Sequence, residues 1–206
     1  MPIIESRPPA QVLNAIKSRL DKLAVGGAFR TKALEGVRTR DLSLTAPHQV
    51  YTLGLTDLTN GHGLGNARPT GWEYLVEHDR SVVASAEVAM EGVKGSALSP
   101  QLTKGPYVQS EKQALAAAER LDQVRRGSFE ARLLRIPALY VLALWLRDTE
   151  GDADIILPLA PAPAELDTSR TYTPEEFTRT LQESARRQLE FDTSPDSLQS
   201  ALGGES

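Results

Sequence analysis

The chain has 206 residues, 40% of them hydrophobic and 24% charged, with a formal net charge of −4. That size is close to one domain, and the composition is that of a folded protein able to bury a core without covalent staples. Cysteine is absent, which excludes disulfides, thiolate metal sites, iron–sulfur clusters and cysteine nucleophiles together.

The opening MPIIESRPPA has no basic start followed by an apolar run, so no signal peptide is expected. The most apolar stretch, Ile136 to Leu146, is 11 residues long and contains Pro137, against about 20 residues for a membrane helix. A cytoplasmic protein without membrane association is the expectation. Charge is uneven: residues 147–206 hold 13 acids and 5 bases, while residues 1–146 hold 14 acids and 18 bases. This reads first as a solvated acidic helix and tail, and second as a polarity that steers a partner or self-association.

Leu13, Ile16, Leu20 and Leu23 recur at three and four and predict an amphipathic helix, stopped by Gly26-Gly27. Residues 28–47, with Arg30, Lys32, Arg38 and Arg40, show no period that decides between helix and strand. Val50 to Leu55 alternates and predicts a strand, followed by a glycine-rich loop over 59–66 and a second strand over Trp72 to Val76. A third strand has Val82, Ala84, Ala86, Val88 and Met90 on one side and Ser85 and Glu87 on the other, with His78 to Ser81 as the hairpin connection.

Residues 91–109 contain five glycines and prolines and read as a surface loop. Ser110 with Gln113 matches a capping box, opening a helix with the stripe Leu115, Ala118, Leu121 and Val124 and closing at Gly127. Phe129 to Leu133 alternates, Pro137 marks a bulge or kink, and Ala138 to Leu146 is apolar on both faces, which predicts a central strand with helix as the alternative. The turn at 148–152 and Ile155 to Leu159 complete a hairpin, and residues 158–166 form a proline-rich connection. Thr173-Pro174-Glu175-Glu176 is a second capping box, before a helix with the stripe Phe177, Leu181, Ala185 and Leu189. The expected fold class is α+β: a mainly antiparallel sheet of about five strands with three helices packed on one face. Residues 1–191 are expected to form a single domain and 192–206 a disordered tail.

Chemical signals are sparse. Gly61, Gly63 and Gly65 surround His62 and precede Asn66, Arg68 and Gly71; backbone amides of such a loop can cradle an anion, and Arg68 adds charge. Asn60, His62, Asn66 and Arg68 are therefore the candidate ligand or partner contacts, although the spacing matches neither a Walker loop nor a dinucleotide fingerprint. A flexible connection whose glycines allow positive φ explains the same residues. His48, His62 and His78 fall in predicted loops or strand edges, where exposed histidines without function are expected, and no metal site or cofactor is predicted. Asp152 and Asp154 read as a solvated turn, and Trp72 and Trp145 as core residues. Arg125 and Arg126 mark a basic patch that also suits a helix C-terminus. No catalytic cluster is found. The leading functional reading is a non-enzymatic protein-interaction or assembly domain, partnered by another protein or by itself. The alternative is a small-molecule-binding protein or enzyme using the loop over 59–71, with nucleic-acid binding third.

Overall fold

The computed structural model describes residues 3–25, 36–90 and 99–192. In chain order they form β1 (Ile3–Ile4), α1 (Ala10–Val25), β2 (Leu42–Thr52), α2 (Leu55–Thr59), β3 (Arg68–His78), β4 (Ser81–Ala89), β5 (Gln101–Thr103) and α3 (Pro106–Ala118), then α4 (Asp122–Arg126), β6 (Phe129–Ile136), β7 (Val141–Asp148), β8 (Ile155–Pro158) and α5 (Pro174–Asp192). The eight strands make one mixed sheet in the order β5-β4-β3-β2-β6-β7-β8. The eighth, β1, lies parallel against the start of β6 (Ile3 beside Phe129), and β2 lies parallel against its second half (Gln49 beside Arg132). The other pairings are antiparallel.

The fold is therefore α+β as expected, with eight strands instead of about five and five described helices instead of three. The helices cover both faces, which corrects the one-faced arrangement. On one face, α1 buries Val12, Ile16 and Leu20 against Trp72, Tyr74, Ala84 and Val88. The same face continues to α2 and α5, where Leu55, Leu58, Phe177, Leu181 and Ala185 close over Leu134, Ala143, Trp145 and Ile156. On the other face, Ala114 and Ala118 of α3 and Val124 of α4 meet Val50, Leu133, Leu144 and Leu157. Each large apolar side chain so buried stabilises the fold by about 1.5–3 kcal/mol.

Local chemistry explains the boundaries. Asp79 and Arg80 both take positive φ (48° and 62°), giving the two-residue turn whose twist suits the β3–β4 hairpin. A bulge opposite Val76 shifts the register of β4, so Val82 packs with Leu75 and Val108 beneath α3, opposite the side holding Ala84, Ala86 and Val88. Pro137 opens a short 3-10 turn that ends on left-handed Tyr140, so the interruption falls where expected. The chain reverses there, however: 138–140 are turn, and the strand expected from Ala138 begins at Val141, antiparallel to β6. In α5, Thr173 Oγ1 accepts from the Glu176 amide at 3.2 Å while Glu176 Oε2 accepts from the Thr173 amide at 3.1 Å, the reciprocal capping box.

Several expectations are corrected. The strand assigned to Val50–Leu55 ends at Thr52, and Leu55 begins α2; it starts earlier, so 42–47 of the undecided segment are strand. Within 91–109, β5 and the start of α3 replace part of the loop, while 91–98 lie outside the described residues. The Ser110/Gln113 box lies inside α3, which begins at Pro106, and Ser110 Oγ instead accepts from the Ala160 amide at 2.7 Å. The helix expected to run to Gly127 breaks after Ala118 and resumes as α4. Asp192 closes α5, and the rest of the expected tail, 193–206, lies outside the described residues. No described helix is long and apolar enough to cross a membrane.

Candidate functional site

A cleft of about 810 Å³ opens between the 61–65 turn, the middle of β6, the second half of β7 and the first turns of α5. Arg132 on β6 lines it, its guanidinium carbon 4.8 Å from the Tyr51 ring centre and 4.9 Å from that of Trp145. The two rings meet edge to face at 5.2 Å, and Glu130 Oε2 accepts from Arg132 Nε and Nη2 at 3.0 and 2.7 Å. A guanidinium packed against two aromatic rings and anchored to a carboxylate has little freedom left to lose when a ligand arrives.

A second anchor lies beside it. Asp154 accepts from Trp145 Nε1 at 2.7 Å, from Arg147 Nη1 at 2.8 Å and from the Asp148 amide at 2.9 Å. Asp154 is thus an organising residue and not the solvated turn acid expected; Asp148, by contrast, accepts from the Glu150, Gly151 and Ala153 amides, and those bonds hold its carboxyl below the usual range. Asp152, Glu175, Arg179 and Gln182 complete the rim.

Of the four loop residues singled out in the sequence, His62 lines this cleft. Asn66 holds the turn in place, its Nδ2 donating to Asp57 Oδ1 at 2.8 Å, and the His62 ring stands 3.8 Å from the same oxygen. Asn60 caps α2 from an exposed position, and Arg68 is exposed at the first residue of β3; neither lines the cleft. The glycine-rich segment is a short helix followed by a 3-10 turn, with positive φ at Gly61 and Gly63. Arg125 and Arg126 are exposed in the last turn of α4, away from this cleft.

The least expected arrangement lies under α3. His48, Glu73 and Glu87 are consecutive neighbours across β2, β3 and β4, all on the face that α3 covers. Glu111 descends from α3 to bring Oε1 within 3.1 Å of His48 Nε2. Arg135 of β6 pairs with both oxygens of Glu87 (2.8 and 2.7 Å) and with Glu73 Oε2 at 3.2 Å. His48, Glu73 and Glu111 are buried, which corrects the expectation of an exposed His48. Burial disfavours the His48 imidazolium, but the Glu111 carboxylate, with Glu73 behind it, outweighs that and raises its pKa. Burial, reinforced by Glu111, pushes Glu73 up to about 8. His78 is partly buried at the end of β3, 3.7 Å from Asp79.

The sequence signal for this cluster was Pro47 inside a strand, which marks a bulge. The register of β2 shifts between Thr45 and His48, with Ala46 at φ 48°, and that turns the His48 ring inward. No protein-family model matches the chain, and neither a curated protein nor a solved structure shows detectable similarity to it.

Proposed function

We propose that the protein binds a small, net-neutral polar molecule of zwitterionic character in the cleft between the 61–65 turn and α5. The observation that carries this reading is Arg132 packed against both Tyr51 and Trp145 in the lining of a concavity of ligand size. The lining supports the ligand class. Arg132, Arg147 and Arg179 are balanced by Asp152, Asp154 and Glu175, so the cleft as a whole favours neither an anion nor a cation. A molecule carrying one charge of each sign finds a partner for both.

Among the described residues, the lining holds carboxylates, His62 and Tyr51 but no serine or lysine, and the hydroxyl of Thr178 donates to the Pro174 carbonyl at 2.9 Å. The protein-interaction reading would rest on a continuous apolar patch or an unpaired strand edge. The large apolar side chains exposed among the described residues, Ile4, Met90, Tyr140 and Phe191, come from four separate segments. A nucleic-acid reading through Arg125 and Arg126 has Phe129 as its nearest aromatic in sequence, and that ring is buried.

The test is a calorimetric and thermal-shift screen of free amino acids, short peptides and betaines, with inorganic phosphate and nucleotides as the contrasting set. A zwitterion should bind and alter tryptophan fluorescence, and Arg179→Ala at the exposed rim should weaken it at least about tenfold, the scale of one charged contact. Selective binding of polyanions, or zwitterion binding that ignores Arg179→Ala and Trp145→Phe alike, would refute the assignment.

A further inference from the structure

We propose that His48, Glu73 and Glu111 form a site for one divalent transition-metal ion of the zinc class, which ties α3 to the sheet. The three side chains come from β2, β3 and α3, and their ligand atoms lie within 4.8 Å of one another in the buried interior. One imidazole nitrogen with carboxylate oxygens is a donor set that suits zinc, iron or manganese. Calcium, which takes six to eight oxygens, is poorly served by so few.

The orientation of His48 is that of a metal-binding imidazole. Its Nδ1 lies 2.8 Å from the Ala46 carbonyl, and donation there leaves the Nε2 lone pair facing inward. Ala46 holds a left-handed φ of 48° immediately before Pro47, a conformation uncommon for alanine that brings its carbonyl under the ring. The backbone departs from ordinary strand geometry at the residue whose carbonyl fixes the imidazole.

A second observation points to a ligand. His48 Nε2 and Glu111 Oε1 lie 3.1 Å apart, yet no hydrogen bond joins them, because the direction of a ring N–H misses the carboxylate oxygen. Both atoms are buried without a hydrogen-bond partner. Burying such atoms without a partner is unfavourable. Their separation is near the roughly 3.4 Å between ligands of a tetrahedral ion with bonds of about 2.0–2.1 Å. A cation bound by both lone pairs removes the deficit. Charge agrees: a neutral imidazole, two carboxylates and a divalent ion sum to zero, while Glu87 and Arg135 neutralise each other alongside. Protons alone can also neutralise the carboxylates, but in this geometry they leave Nε2 and Oε1 unjoined.

The experiment uses the full chain, stripped by chelator and titrated with zinc by calorimetry and thermal unfolding. One ion per chain should bind and raise the melting temperature, and X-ray absorption of the zinc-loaded wild type should show a single imidazole with oxygen neighbours. His48→Gln and Glu111→Gln should each weaken binding at least about tenfold, while Arg179→Ala at the cleft rim should leave it unchanged. Failure to bind zinc, manganese or iron(II) stoichiometrically overturns the site, as does binding indifferent to both variants. If a variant does not fold, the wild-type absorption spectrum decides, and the lack of an imidazole neighbour counts against the proposal.

Discussion

Glu73 and Glu87 stand directly opposite each other on β3 and β4, and Arg135 reaches from β6, two strands beyond β3, to bind both. Like charges at facing positions of a sheet repel; here the guanidinium, doubly bonded to Glu87, turns that repulsion into a brace across four strands. Arg135→Gln should therefore destabilise the protein by about 2–4 kcal/mol, because it leaves the Glu87 carboxylate without its cation beside buried Glu73. Chemical denaturation measures the loss. The double variant Arg135→Gln/Glu87→Gln should recover part of it, and equal instability in single and double variants would show that the charges are not the cause.

The metal-free protein should become less stable as pH rises. Glu73 goes from a usual value of 4.5 when unfolded to about 8 when folded, so between those values the folded chain holds a proton that the unfolded chain has lost. His48, raised above 6.5, acts in the same direction above that pH. Stability is thus fullest below about pH 4.5 for Glu73 and falls through pH 8, at up to about 1.4 kcal/mol per pH unit for each proton held. Urea midpoints at pH 5, 6.5 and 8 in the presence of chelator test this, and Glu73→Gln should flatten the decline. A midpoint rising with pH would contradict it.

Two glycines of the segment between α2 and the middle of β3 should differ sharply in their tolerance of alanine. A Cβ on Gly71 would lie 2.8 Å from the Val88 carbonyl oxygen and 3.3 Å from Glu87 Oε1. Gly71→Ala must push β4 away and should cost about 1–3 kcal/mol. Gly65 has open space around the same position and no positive φ, so Gly65→Ala should change stability by less than about 0.5 kcal/mol. Thermal unfolding of the two variants compares them directly.

Thr173→Ala should cost about 1 kcal/mol through loss of the α5 cap. The same turn helps shape the cleft, since Pro174 and Glu175 line it. Ligand affinity should fall with helix stability in this variant, as calorimetry would register.

The parts of the fold legible in the sequence were those with local causes. The α5 capping box, the β3–β4 turn and the interruption at Pro137 each depend on a few adjacent residues, and each stands where expected. The parallel seating of β2 on β6 was not legible, because Gln49 and Arg132 lie far apart in the chain and no period encodes which strands meet. His48 was misplaced for the same reason. Its burial depends on the bulge at Ala46-Pro47 of β2 and on Glu111 arriving from α3, two elements that only the tertiary fold brings together. Likewise His62 was found while Arg132 was not: the glycine-rich stretch is conspicuous in sequence, whereas the aromatic pair that fixes Arg132 assembles across β2, β6 and β7.

The shared edge of β6 has a kinetic consequence. This strand receives β1 on one half of an edge and β2 on the other, from partners as distant as Ile3 and Phe129. During synthesis the first half of the sheet must wait, with the row of hydrogen-bonding groups along β2 unmatched, until residues beyond 130 have emerged. Such long-range closure slows assembly and exposes the waiting edge to stray pairing, so the chain should refold in the slow, millisecond-to-second regime and aggregate most readily when only its β2–β4 segment has been made.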